Sequence, residues 1–394
     1  MVKAKVFIYA KPFEGIPTKE HLKLIEEDLP PLKDGEFLAE AVYLSVDPYM
    51  RAYAPRMTVG QTMIGSQVAK ITESKSSKFP VGKYVVSSFG WRTHTISSEN
   101  PPVSAFVSAP VLIPYDGSVP LSYFLGVLGM TGATAYFGFL DICKPKEGET
   151  VVVSGAAGAV GSHVGQIAKI KGCKVIGIAG TDAKCEWLKT LGFDHTINYK
   201  KQDVAKALKE AAPNGVDCYF DNVGGEIATT VISQMNRFGR ISACGAISGY
   251  NESGLPKVST FLPFIIMNEL EMKGFIVTTW LDKWTEAVNN NIKWMKEGKL
   301  QWRETVTEGF DNMVDALAAT TFFNSVVSKE LEMKGFIVYT WLDKWSDAVD
   351  QNKAWVKKGK LQYQETITEG FENMAEGFIG ILQGENNGKP VVKV

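Results

Sequence analysis

Three observations predict an α/β protein in which a doubly wound parallel sheet stands beside a β-rich domain. From residue 150 onward, short apolar runs alternate with amphipathic stretches in a strand–helix rhythm. The first turn of that rhythm is a cluster of small residues. Residues 1 to about 118 lack it and show only short β segments punctuated by Pro, Gly and Asp.

Strands are expected over 150–154, 174–178, near Thr196, over 217–221 and over 240–243. Helices are expected between them, over 160–171, 182–191, 204–212 and after Gly225. A helix between successive strands returns the chain to the same end of the sheet, so the strands run parallel. In the N-terminal part, 36–46 and 82–88 read as strands. With 394 residues the chain exceeds one ordinary core, and two domains are expected.

Composition narrows the function. Lysine and arginine total 42 against 43 acidic residues, a net charge of -1, and no long run of one sign occurs, which argues against nucleic acid or an anionic membrane as the main partner. Five cysteines (Cys143, Cys173, Cys185, Cys218, Cys244), scattered without CxxC spacing, suit a reducing, cytoplasmic setting better than a disulfide framework. The first ten residues lack a signal-peptide core. Residues 119–140 carry no charge and approach the length of a membrane span, but Pro120, Gly126, Gly129, Gly132 and Gly138 interrupt them. A buried helical connector is the expected reading.

Near the C-terminus the sequence repeats itself at an offset of 61 residues. Glu271-Met-Lys-Gly-Phe-Ile-Val277 recurs as Glu332 to Val338, Trp280-Leu-Asp-Lys-Trp284 as Trp341 to Trp345, and Thr307-Glu-Gly-Phe310 as Thr368 to Phe371. Two copies are too few for a solenoid. The unit reads as a duplicated strand–helix–strand segment, with a strand over 273–277, a helix over 283–296 and a returning strand over 300–305. One sheet has one place for each.

The small-residue cluster is Val151-Val-Val-Ser-Gly-Ala-Ala-Gly-Ala-Val-Gly161, between a predicted strand and a predicted helix. Small side chains let the backbone approach a dinucleotide pyrophosphate, while the helix N-terminus attracts its charge. An NAD site usually places Asp or Glu at the end of the second strand. Here Gly180 follows that strand, and Lys184 lies in the next helical turn, where an ammonium meets a 2′-phosphate; NADPH is therefore expected. No metal is expected. A catalytic zinc needs three protein ligands, only four histidines exist (His21, His94, His163, His195), and the β-rich domain holds no cysteine. His163 is expected to be a packing or surface residue.

Asp47-Pro-Tyr-Met-Arg51, the loop 155–161, Asn198-Tyr-Lys200, Asp221-Asn-Val-Gly-Gly225, Cys244-Gly-Ala-Ile-Ser-Gly-Tyr250 and Gly384-Glu-Asn-Asn-Gly-Lys389 together resemble the zinc-independent branch of the medium-chain dehydrogenase/reductase superfamily. The resemblance implies a GroES-like catalytic domain, made by 1–125 and a C-terminal return over 361–394, around a Rossmann domain at 126–299. The stretches 300–320 and 321–360 hold the repeat junction and the duplicated segment.

It implies NADPH-dependent reduction of the conjugated double bond of 15-keto-prostaglandins, 2-alkenals and similar enones. It also implies pyrophosphate contacts at Ala157, Gly158, Ala159, Val160 and Gly161, and a 2′-phosphate contact at Lys184. Tyr199 and Asn222 would border the adenosine and the centre of the cofactor. Cys244, Gly245, Ala246, Ile247, Ser248, Gly249 and Tyr250 would line the nicotinamide, and Asn386 would close over it. A nicotinamide-contacting strand end is implied either at Phe275, Ile276 and Val277 or at Phe336, Ile337 and Val338. Family members pair as homodimers through the last strand of the parallel sheet, an edge that the surplus strand is chemically matched to cap.

Hydride delivered to the β-carbon of an enone drives charge onto the carbonyl oxygen, which needs a hydrogen-bond donor. Without a metal, Tyr250 is the first candidate and Tyr49 the second, because a phenol stays protonated at neutral pH. Arg51 has two readings, an acidic substrate head or a surface salt bridge. The rival functions are a zinc-free quinone reductase and a non-enzymatic NADPH-binding protein whose cleft the surplus segment disturbs.

Overall fold

Both faces of Lys3–Tyr9 (β1) are used: Ala4 and Val6 enter one apolar core, Phe7 and Tyr9 another, and β1 pairs antiparallel with Leu22–Asp28 (β2). Next come Glu36–Leu44 (β3), a short helix Tyr49–Tyr53 (α1), Gln67–Ser74 (β4), Tyr84–Ser87 (β5), His94–Ser98 (β6) and Val111–Leu112 (β7). These five strands form one antiparallel sheet in the order β6-β3-β4-β5-β7. Met50 of α1 is fully buried with Phe7, Tyr9, Met63 and Trp91. This computed structural model describes residues 2–101, 108–251, 261–319, 365–369 and 389–393, together with Asp350 and Lys357.

The uncharged stretch after residue 119 is a connector of short pieces: a 3-10 turn Leu121–Phe124, a helix Met130–Phe137 (α2) and a π-helical turn Gly138–Cys143. Among the described residues no helix is long and apolar enough to cross a membrane. Its glycines mark close approaches. A Cβ on Gly126 would lie 2.6 Å from the Trp302 ring, and one on Gly138 would lie 2.3 Å from the Phe275 ring.

The predicted alternation then appears nearly as read. Its elements are Thr150–Ser154 (β8), Ala159–Ile170 (α3), Lys174–Ala179 (β9), Asp182–Thr190 (α4), His195–Asn198 (β10), Val204–Ala211 (α5), Val216–Asp221 (β11), Gly225–Ile232 (α6) and Met235–Ala243 (β12). After Leu262–Met267 (α7), Glu271–Gly274 (β13) completes a six-stranded parallel sheet, order β10-β9-β8-β11-β12-β13. Order reverses between β8 and β11, and at such a switch point α/β sheets open a crevice beyond the strand ends. One apolar core lies on each face, the first joining α2, α3 and the connector, the second α5 and α6.

The first copy of the repeat supplies β13, a 3-10 turn Val277–Lys283 and the helix Trp284–Lys296 (α8). The returning strand expected at 300–305 does not form. Gln166 explains this: its Nε2 donates to Gln301 O and its Oε1 accepts from Gln301 N, so a side chain takes the groups a strand partner would use. Farther on, Phe310, Met313, Val314 and Leu317 join the core of Phe7, Tyr9 and Trp91, returning the chain to the N-terminal domain.

The chain divides into two compact units, residues 1–332 and 333–394. In the second, Glu365–Glu369 (β14) pairs parallel with Lys389–Lys393 (β15), Ile367 opposite Val391. Glu304–Glu308, the counterpart of β14 in the first copy, is not a strand. The sequences differ only by Val306 against Ile367, so the partner decides the conformation; β15 occurs once. The second Phe-Ile-Val stretch, 336–338, and Asn386 lie outside the described residues.

Candidate active site

At the switch point the main chain builds a cradle. Gly155 turns the chain at a φ of 57°, and α3 begins one residue after Gly158, with no side chain capping it. A Cβ on Gly161 would lie 2.5 Å from Gly155 O and 2.8 Å from Ala156 Cα, so the helix sits directly on the loop. Gly158 and Ala159 are exposed at its mouth, with Ala157 and Val160 half buried beside them. Exposed helix N–H groups and an uncrowded backbone fit a pyrophosphate.

Beyond β9 lies a cationic corner. The Tyr199 hydroxyl packs against Gly180, where a Cβ would come within 2.7 Å of it. Thr181 caps α4 by accepting from Lys184 N, while Asp182 is held by Asn198 and Lys201. Lys184 is half buried, and burial first, then the neighbouring Lys200 ammonium, pull its pKa below the usual lysine value. Two ammonium groups held close together suit a dianionic phosphate.

On the other side of the switch point, Asp221 is the organiser that sequence reading did not single out. Its Oδ1 accepts from Ser154 Oγ, Tyr219 Oη, Val223 N and Gly224 N. Asn222 reaches back to Ser154 O, tying β11 to β8 at the cradle. The visible signal was the Asp221-Asn-Val-Gly-Gly225 string, in which the Val223 and Gly224 amides donate to the carboxylate and Gly224 and Gly225 take positive φ (70° and 60°).

The segment 244–250 is zipped onto this loop. Cys244 N and Gly245 N donate to Asp221 O, Ile247 N to Asn222 O, and Ser248 N and Oγ to Val223 O. Burial pushes the Cys244 thiol up to about 12, so it stays protonated. Tyr250 folds back over the turn, its hydroxyl oxygen accepting from Ala246 N at 3.3 Å. Burial, ahead of smaller influences, raises its pKa, which leaves a protonated phenol with its own hydrogen to give. Phe275, Ile276 and Val277 follow directly on β13, whose Gly274 lies opposite Ala243, next to Cys244. Of the three, Val277 is buried, Phe275 half buried and Ile276 exposed.

The β-rich domain faces this loop with α1. Arg51 meets no carboxylate among the described residues: its Nε donates to Gly15 O and Asn251 Oδ1, both at 3.1 Å, and the residue is only 6% exposed. The surface salt-bridge reading of Arg51 is thereby corrected, because burial forces the guanidinium onto local acceptors. Tyr49 packs on the core of Phe7 and Trp91; burial, then Asp47, raises its pKa, and Ser66 hydrogen-bonds its hydroxyl. Asp47 Oδ2 is buried with no hydrogen-bond partner among the described residues, and burial pushes this carboxyl up to about 6.

Among the described residues no three His, Cys, Asp or Glu side chains converge as a metal site. His163 is buried, its Nε2 meets Asn291 Oδ1 at 3.1 Å, and burial lowers its pKa to about 4.

Comparison with known proteins agrees with this architecture. A family model described as the N-terminal domain of oxidoreductase matches residues 5–104, and one described as zinc-binding dehydrogenase matches residues 159–296. Prostaglandin reductase 1 of Bos taurus is 52% identical over 315 residues, covering 79% of this chain and 94% of that protein. Its Rattus norvegicus counterpart is 44% identical and covers all of both chains. Among solved structures, CurA from Vibrio vulnificus in complex with NADPH aligns with a TM-score of 0.70 at 32% identity, covering 99% of each chain. The chain belongs to the medium-chain dehydrogenase/reductase superfamily and, within it, to the family of prostaglandin reductase 1.

Proposed function

We propose that this chain reduces the carbon–carbon double bond of α,β-unsaturated ketones and aldehydes with NADPH. The observation that carries the reading is Tyr250: a protonated phenol beside the cofactor cradle, whose oxygen is already held by Ala246 N–H and whose hydrogen has no acceptor among the described residues.

NADPH, when bound, supplies the hydride that adds to the β-carbon of the enone. Residues 157–161 would hold its pyrophosphate, Lys184 and Lys200 its 2′-phosphate, Tyr199 would border the adenosine, and Asn222 and the 244–250 segment would border the central and nicotinamide parts. Charge released onto the carbonyl oxygen meets the Tyr250 hydroxyl, a donor oriented before the reaction begins. Tyr49, tied to Ser66, serves as a wall of that side rather than as a second donor. The α-carbon then takes a proton from water, completing a saturated ketone or aldehyde.

The same reading divides unit 1 into a catalytic domain ending near residue 125 and a nucleotide-binding domain after it. It also includes cytoplasmic residence and a homodimer formed across the β13 edge, whose four residues are exposed; sedimentation velocity reads the association.

A direct test follows NADPH oxidation with 15-keto-prostaglandin, a 2-alkenal and a quinone in parallel. Turnover of the first two well above the quinone, with NADPH well above NADH, is expected. Preference for the quinone would establish the rival reductase, and NADPH binding without enone turnover would establish the non-enzymatic reading.

A further inference from the structure

The α1 wall of the cleft carries a further phenol, Tyr53, whose ring is fixed from two sides. It lies one helical turn beyond Tyr49, and the two rings meet edge to face at 6.1 Å and 79°. Met50 and Ala54 enter the apolar core, which leaves the two tyrosines on the flank of the helix, and Tyr53 stays half buried. The chain then tightens into the 3-10 turn Ala54–Arg56, where side chains three positions apart eclipse, and the Arg56 guanidinium rests 5.3 Å from the centre of the Tyr53 ring. A tyrosine has only two side-chain torsions, so a ring held by an aromatic edge and a guanidinium carries its hydroxyl to one place.

The Tyr250 turn stands close by. Arg51, between the two tyrosines of α1, donates to Asn251 Oδ1 and so holds the helix against residues 250–251. Burial raises the Tyr250 pKa most, and Cys244 and then Tyr53 add to the rise, so the phenols of residues 53 and 250 share one neighbourhood. The other polar groups of α1 are engaged elsewhere: the Tyr49 hydroxyl is paired with Ser66, and Arg51 with Gly15 and Asn251.

Tyr250 alone serves half of an enolate. The oxygen offers more than one lone-pair direction, and each donor placed before the reaction stabilises the charge further as it develops. Resting on the enone reduction proposed above, we infer that Tyr53 donates a second hydrogen bond to the enolate oxygen, which then sits between two phenols, one from each wall of the cleft. The pocket for this oxygen is complete only while α1 and the Tyr250 turn stay together, so Arg51 is a positioning residue for both donors.

Steady-state NADPH oxidation with a 2-alkenal tests the assignment. Tyr53→Phe keeps the ring between Tyr49 and Arg56 and removes only the hydroxyl, so kcat should fall at least about 10-fold while the NADPH dissociation constant and the melting temperature hold. Donors that share one oxygen do not act independently. The loss in Tyr53→Phe combined with Tyr250→Phe should therefore depart from the product of the two single losses by about threefold or more. A kcat for Tyr53→Phe within about twofold of the parent overturns the proposal, as do losses that simply multiply. A fall in kcat matched by falls in NADPH affinity and melting temperature overturns it too, by assigning Tyr53 to packing. A parent chain that reduces no enone overturns the underlying reading instead, an outcome recognised from the parent's own rate before any variant is compared.

Discussion

The two walls of the cleft are built from different materials. The nucleotide side is mostly main chain, a glycine loop, a helix end and amides gathered on one buried carboxylate, each formed within a short stretch of sequence. The α1 side is made of side chains whose partners are remote, as when Arg51 reaches an asparagine 200 positions away. Backbone sites tolerate little because an added atom has nowhere to go, whereas side-chain sites fail by degrees.

The sharpest way to break the nucleotide wall is Gly161→Val. Its Cβ would collide with Gly155 O and Ala156, so NADPH affinity measured by fluorescence titration should fall at least about 100-fold. Affinity within a few-fold of the parent would show that the cradle is not the binding site. Tyr250→Phe removes one donor and leaves the cradle intact. Its kcat on an enone should fall about 100-fold while the NADPH dissociation constant hardly changes. An unchanged kcat would take the tyrosine out of the chemistry.

The smallest expected effect sharpens the contrast from the α1 side. The Asp47 carboxyl is raised to about 6 by burial, against 3.8 ordinarily, so the folded state resists an ionisation that the unfolded chain undergoes. Stability is therefore lost as pH rises from about 4 to 6 and stays lower above that, by on the order of 2–3 kcal/mol. Asp47→Asn should melt above the parent at pH 7.5 and lose that advantage below pH 4. An equal difference at both pH values would assign the effect to packing.

The same contrast explains what could be read from the sequence. The parallel sheet and the glycine cradle were legible because alternation and small-residue spacing are local signals; β8 begins and ends where the pattern places it. The position of Lys184 in the first turn of α4, just past a strand end, was legible for the same reason. The Arg51 contacts, the Gln166 clasp on Gln301 and the burial of His163 against Asn291 were not, because each depends on which distant segments meet. The expected strand at 300–305 failed for a related cause: strand propensity needs a partner strand, and here a side chain claims the backbone first.

Arg51 has one more implication. Its guanidinium fastens the turn at Gly15 to Asn251, immediately beyond the Tyr250 turn. Separating α1 from the Tyr250 turn must break the Arg51–Asn251 link, so under the proposed function the residue would act as a latch on nucleotide exchange. Loosening it would hasten departure of the oxidised dinucleotide while slackening the grip on the reduced one.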